Sequence, residues 1–295
     1  MTVETAAMDP MDAAAASRLI ALQFPELANR PVTALRAKGT DNHILRIGDD
    51  LCARFPKAPW ANETARREAD ALPVFAGAPI AVPAVYGLGA PGEGFPNAWS
   101  VLGWLPGEAL EDGAVVNERD EAERLAGFFR FVRSRPPDNA FRPGKANNGR
   151  GGPLADRTPA FEAALARLPA VNGDWARRIW RVALGAGLPD APVWLHGDVH
   201  PGNVLVENGR ICGVIDWGLC GVGDGACDLL TAWAMFGQEA RSVFRSAIGA
   251  DEAEWLRGAG WALSMAVIYL PYAYEHGLRS DMSETMIARL KEDFA

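Results

Sequence analysis

The spacing of apolar and polar residues changes period along this chain, and the change sorts it into two parts. Early on, alternation dominates. Residues 32–37, 43–47 and 51–55 read as strands, with turns at 38–42 and 48–50. Before them, Asp12 can cap a helix over 13–23 whose apolar face is Leu19, Ile20 and Leu22. A helix over 63–75 and strands over 84–86 and 99–104 follow. Beyond that the helical period takes over. Residues 118–133 put Leu125, Phe128, Phe129 and Val132 on one face. Further helices are predicted over 159–168, 174–184 and 228–236, and through 241–295. The apolar run 260–274 contains Ser264 and Pro271, is short for a bilayer and reads as a core helix.

Two stretches break the helical pattern. Residues 134–157 are rich in proline and glycine, with almost no periodicity. They carry Arg135, Arg142, Lys145, Arg150 and Arg157, as a solvated basic loop or as a lid over a substrate. The other is a set of short strands at 193–195, 203–206 and 211–215, with a hairpin turn at Asn208-Gly209.

Composition narrows the setting. With 295 residues there is room for two modest lobes, and 49% hydrophobic residues with 22% charge suit a folded soluble protein. A net charge of −8 argues against nucleic acid as a partner. Cys52, Cys212, Cys220 and Cys227 form no CxxC pair and read as reduced thiols of a cytoplasmic protein. The acidic N-terminus is no secretory signal, and no membrane association is expected. The spacing Gly87, Gly89, Gly92 matches a dinucleotide loop, but Pro91 lies inside it and no helix pattern follows.

The short strands deliver Asp198, Asn203 and Asp216 to loop positions, which suits phosphoryl transfer. One carboxylate can accept or orient an attacking hydroxyl. The other, with the amide oxygen, is a hard ligand set for Mg²⁺. His196-Gly197-Asp198 stands five residues ahead of Asn203, as in the kinase pattern H-R-D-x-x-x-x-N, and Asp216-Trp217-Gly218 takes the place of D-F-G. His196 and His200 have helical zinc spacing, but Gly197, Pro201 and Gly202 forbid a regular helix between and after them.

These motifs, with Gly223-Asp224-x-x-x-Asp228-Leu229, resemble the aminoglycoside phosphotransferase-like family of the protein-kinase-like fold. The resemblance implies an α+β, two-lobed molecule: a β-rich nucleotide-binding lobe over 1–105 and a mostly helical catalytic lobe over 106–295. It implies ATP or GTP as co-substrate, Mg²⁺, and a small-molecule hydroxyl as acceptor. Asp198 would be the catalytic base, with Asn203 and Asp216 on the metal. Arg54 stands where the family has a phosphate-binding lysine, steadied by Glu68, with Glu63 as runner-up. Thr40 and Asn42 would contact phosphate or simply form a hairpin turn. Backbone groups of Gly103, Trp104 and Leu105 would meet the base. Asp228 would support the catalytic loop or cap a helix, and His196 would brace the loop.

The acceptor is expected to be an antibiotic such as an aminoglycoside, slightly ahead of a neutral or acidic metabolite, because residues 251–295 hold eight acids against four bases while the basic 134–157 segment points the other way. The alternative is a hydroxylated metabolite, as for choline- or homoserine-kinase-like enzymes. A protein kinase is disfavoured by the short segment between Asp216 and Asp228, which lacks A-P-E. A non-catalytic nucleotide-binding regulator is disfavoured because every base and metal position is filled.

Overall fold

The structure, a computed structural model, describes residues 11–35, 42–57, 62–138 and 140–295. Helix α1 (Ala13–Gln23) begins where the Asp12 carboxylate accepts from the Ala15 N–H at 2.7 Å. Its buried face is Ala16, Leu19 and Ile20. Leu22, expected on that face, is 66% exposed: two residues past Ile20 is about 200° around the helix.

Strands β1 (Val32–Ala34), β2 (Asn42–Ile47), β3 (Leu51–Pro56), β4 (Val85–Gly89) and β5 (Trp99–Gly103) form one antiparallel sheet, ordered β1-β2-β3-β5-β4. The first strand stops at Ala34, short of the expected residue 37, and the turn carrying Thr40 lies outside the described residues. Alternation gives the sheet two faces. Leu51, Ala53, Phe55, Trp99 and Val101 pack under α1, with Phe55 stacked on Trp99 at 4.7 Å. Cys52, Arg54 and Leu102 therefore project from the other face, where helix α2 (Asn62–Ala71) lies.

The helix expected over 63–75 ends early, because Pro73 has no N–H to continue it, and a 3-10 turn (Leu72–Phe75) finishes it. Phe75 then enters the core of the larger lobe, 4.5 Å from the Trp217 ring and 5.3 Å from Trp194. Ala81 adds a second stitch. Its N–H donates to the Cys212 carbonyl, and its own carbonyl accepts from the Val214 N–H.

The larger lobe runs β6 (Glu108–Ala109), α3 (Glu118–Arg133), α4 (Thr158–Leu165), α5 (Gly173–Gly185), β7 (Val193–Leu195), β8 (Val204–Glu207), β9 (Arg210–Val214), β10 (Gly221–Gly223), α6 (Leu230–Met235), α7 (Gln238–Ile248), α8 (Glu252–His276) and α9 (Asp281–Asp293). Helix α8 is its axis, packed by α4, α5, α6 and α9, with Trp261, Leu263, Val267 and Leu270 buried. Among the described residues no helix is long and apolar enough to cross a membrane. Strands β6, β8 and β9 form a small sheet, and β7 pairs with β10. Asn208 and Gly209 turn the β8–β9 hairpin with φ of 51° and 73°.

Residues 134–157 are not the solvated loop that was one reading of the sequence. They form 3-10 turns at Lys145–Asn147 and Leu154–Arg157 and dock on β10. The Val222 N–H donates to the Phe141 carbonyl and the Asp224 N–H to the Gly151 carbonyl, both at 2.8 Å. The approach is close enough that a Cβ on Gly223 would sit 2.3 Å from the Gly151 oxygen. Arg150 is buried, and Asn147 wholly so.

Candidate active site

Strand β7 ends at Leu195 and hands the chain to His196, Gly197 and Asp198. One buried carboxylate fixes the start of this loop. Asp228 accepts from the His196 N–H at 2.9 Å and from the Gly197 N–H at 2.8 Å. Loop support, not helix capping, is thus its work. Gly197 has φ of +85°, and a Cβ there would lie 2.8 Å from the Leu219 carbonyl, so glycine is required.

The His196 ring joins the loop to the strand opposite. Its Nδ1 accepts from the Asp198 N–H at 3.2 Å, and its Nε2 lies 3.0 Å from the Ile215 carbonyl. That pattern assigns the proton to Nε2, which donates, in a neutral ring. Burial lowers the pKa of His196 below the ordinary histidine value, against the pull of Asp228 and Asp198. Both ring nitrogens are engaged inside the protein.

Asn203 closes the loop. Its Nδ2 donates to the Asp198 carbonyl at 2.9 Å, which leaves Oδ1 as the oxygen available to a ligand. Its carbonyl accepts from the Ile215 N–H at 2.9 Å, so Asn203 and Asp216 occupy neighbouring backbone positions. Asp216 has φ of 67° in the left-handed region, a strained setting for a residue other than glycine. Asn203 Oδ1 and the Asp216 carboxylate make a hard oxygen donor set that fits Mg²⁺.

Arg54 spans the cleft from β3. Nη1 donates to Glu68 Oε1 and Nη2 to Asp216 Oδ1, each at 2.6 Å. The same Glu68 oxygen accepts from the Trp217 N–H at 2.9 Å. Burial works against the charge on Arg54, but Asp216 and then Glu68 raise its pKa. Burial pushes Glu68 up, with Arg54 opposing. Partial burial would raise Asp216 as well, but the Arg54 guanidinium holds its carboxyl below the usual range. Glu63, the alternative partner, is exposed.

Asp198 meets a second arginine. Its Oδ1 accepts from Arg150 Nη2 at 2.8 Å, and its Oδ2 lies 3.8 Å from His200 Nε2. In the sequence Arg150 is one of five basic residues in the irregular 134–157 segment. Its one local signal was a cation among prolines and glycines.

The expected nucleotide contacts are distributed unevenly. Asn42 is buried at the start of β2, opposite Pro56, and Thr40 lies outside the described residues. The Gly103 N–H is taken by the Ala84 carbonyl and the Trp104 N–H by the Asp50 carbonyl, each at 2.7 Å. Arg46 lies over the Trp104 ring at 4.1 Å.

The fold recurs among solved structures. The GDP complex of wild-type aminoglycoside 2'-phosphotransferase-IIIa matches with a TM-score of 0.71 at 19% identity, covering 96% of this chain and 98% of that one. Macrolide 2'-phosphotransferase MphH from Brachybacterium faecium matches with a TM-score of 0.62 at 19% identity, over 95% and 98%. The streptomycin–ATP ternary complex of APH(2")-IIa matches with a TM-score of 0.62 at 17% identity, over 92% and 95%. A search of curated proteins gave no match. At these identities the structures establish a shared protein-kinase-like fold. The family model described as "Phosphotransferase enzyme family" matches residues 33–261, a span that holds Arg54, the His196–Asn203 loop and Asp216 together. By that match the chain belongs to the phosphotransferase enzyme family.

Proposed function

We propose that the protein moves the γ-phosphoryl group of ATP or GTP to a hydroxyl of a small molecule. One observation carries this reading. The His196–Asp198 loop, tied down by Asp228, holds a carboxylate facing the cleft beside Asn203 and Asp216. In this reading Arg150 holds Asp198 Oδ1 and leaves Oδ2 for the acceptor hydroxyl. As the acceptor oxygen bonds to the γ-phosphorus, its proton passes to Asp198 and the bond to the β,γ-bridging oxygen breaks. The nucleoside diphosphate is the leaving group. Asn203 and Asp216 would hold Mg²⁺, which neutralises charge on the phosphate oxygens. Arg54, kept cationic by Glu68 and Asp216, faces those phosphates, and Gly103 to Leu105 line the base. We place the lobe boundary at residues 105/106.

The case for an aminoglycoside rests on the acids of residues 251–295, and all eight have partners within the protein. Asp251 caps α8. Glu252 pairs with Arg245, Glu254 with Arg133, Glu275 with Arg167 and Asp281 with Arg279. Glu284 accepts from Tyr274 and Ser280, and Arg241 takes Glu292 and Asp293. These acids therefore do not by themselves select an aminoglycoside over a hydroxylated metabolite. A radiolabelled-ATP transfer screen over aminoglycosides, macrolides and hydroxylated metabolites tests the reading. Transfer to a small molecule is expected. Transfer to protein only, or no binding of Mg²⁺–nucleotide, would sink it.

A further inference from the structure

A second cation stands behind Arg150. Arg157 ends the Leu154–Arg157 turn and lies along α8. Its Nε donates to Ser264 Oγ at 2.8 Å, its Nη2 contacts Met265 Sδ at 3.4 Å, and its guanidinium lies 5.0 Å from the centre of the Trp261 ring. Arg150 Nη1 touches the same Met265 sulfur, while its Nη2 holds Asp198. Two guanidiniums thus converge on one thioether, next to the carboxylate that faces the acceptor.

Their charges are not balanced alike. Arg150 has Asp198 as counterion. Among the described residues Arg157 has no carboxylate within ion-pair distance, and its contacts are a hydroxyl, a thioether and an indole. Burial first, and then Arg150, push its pKa down to about 10, so it stays charged at neutral pH. A largely buried cation beside another cation is unfavourable without an anion to join them. A neutral side chain would meet Ser264, Met265 and Trp261 at less cost. From Met265 the same stripe of α8 runs outward to Tyr269 and Tyr272, four and seven residues on, and both are exposed. The pair therefore lies at the inner end of a stripe that reaches solvent.

We propose that the acceptor carries an anionic group, a carboxylate or a phosphate monoester, near its reacting hydroxyl, and that Arg157 receives that group with Arg150 beside it. This rests on the phosphotransferase reading and names the class of acceptor for it. The anion would complete the charge balance of the pair, while Arg150 keeps its hold on Asp198. An aminoglycoside, being cationic, would bring the wrong sign to this end of the cleft.

Two measurements test the proposal. In the first, a non-hydrolysable triphosphate analogue with Mg²⁺ fills the nucleotide site, and malonate or inorganic phosphate is titrated by calorimetry. Wild type should bind at least one of them. Arg157→Gln should weaken that binding by about 10- to 100-fold, and Arg157→Lys should restore part of it. Malonate and phosphate arms separate a carboxylate acceptor from a phosphorylated one. Unchanged affinity in Arg157→Gln, or no binding of either anion, overturns the proposal. In the second, glycerol, glycerate and glycerol phosphate are added to the transfer screen as a matched neutral and anionic set. The best acceptor overall should be anionic, and Arg157→Gln should raise its KM far more than it lowers kcat. A neutral or cationic best acceptor overturns the proposal. Nucleotide affinity is the control in both arms. If Arg157→Gln keeps it, the variant is folded and the result concerns the anion. If wild type itself binds no nucleotide, the phosphotransferase reading has failed first.

Discussion

Asp198 and Asp216 are both carboxylates, each held by a different arginine, and the proposed reading gives them different work. Asp198→Asn keeps the shape and removes the base, so kcat should fall by about 10²–10⁴-fold with Mg²⁺–nucleotide affinity nearly intact. Asp216→Ala should lose much of both, since Arg54 loses a partner and the proposed Mg²⁺ site a ligand. Steady-state kinetics beside nucleotide titration with and without Mg²⁺ separate the two. Near-normal turnover in Asp198→Asn would remove Asp198 from its role. His196 gives a pH prediction. Its folded pKa lies below that of the unfolded chain, about 6.5, so the unfolded state binds more protons as pH falls. The ring's stabilisation is complete above that value and is lost as pH drops through the folded one. Asp228 and Glu68, raised by burial, act in the opposite sense, so the readout is a difference. The melting temperature of wild type minus that of His196→Gln should shrink between pH 7 and pH 5. At this scale the sequence was readable where contacts are local. Asp198 and Asn203 sit five apart and bond through Asn203 Nδ2. Arg150 reaches Asp198 from 48 residues away, and no spacing rule could announce it.

Elements were readable where one face is apolar. The predicted bounds of α1 and α3 match those observed, because caps and apolar stripes fix both ends. The 134–157 segment was not readable, since it is held by backbone bonds to β10 and not by a periodic face. That docking makes a test. Gly223→Ala must push Gly151 away, and overpacking of this kind costs about 1–3 kcal/mol. The segment should loosen as a unit and carry Arg150 off Asp198. Limited proteolysis should then cut at Arg142, Lys145 or Arg150 faster than in wild type, with kcat reduced. Equal cleavage and equal kcat would show that the segment does not depend on this contact.

The two lobes follow the chain but not the core. The sequence suggests a division at 105/106. Yet Leu72, Phe75 and Ile80 belong to the same buried cluster as Trp194, Trp217 and the helices of the larger lobe. Composition cannot reveal this, because an apolar residue does not say which core it joins. Phe75→Ala should cost about 3–5 kcal/mol and lower the melting of both lobes together in one calorimetric transition. Residues 1–105 made alone should stay unfolded by circular dichroism. A stable fragment would restore the lobes as independent units.

Helix α2 has further consequences. In regulated kinases the lysine–glutamate pair and the metal-binding aspartate must both be in place, and moving the glutamate's helix switches the enzyme. Here Glu68 grips Arg54 and the Trp217 N–H at once, and Arg67 of the same helix reaches the Cys220 carbonyl at 3.4 Å. The turn that follows is anchored by Phe75 beside Trp217. To swing outward, α2 would have to break all of these together. In this structure α2 thus holds Arg54 and the start of the Trp217 turn in register, and we propose that no modification is needed to set them. Protein made in bacteria should turn over at full rate from the first assay, and phosphatase treatment should leave that rate unchanged. Flux through such an enzyme follows the supply of its acceptor and the number of copies present.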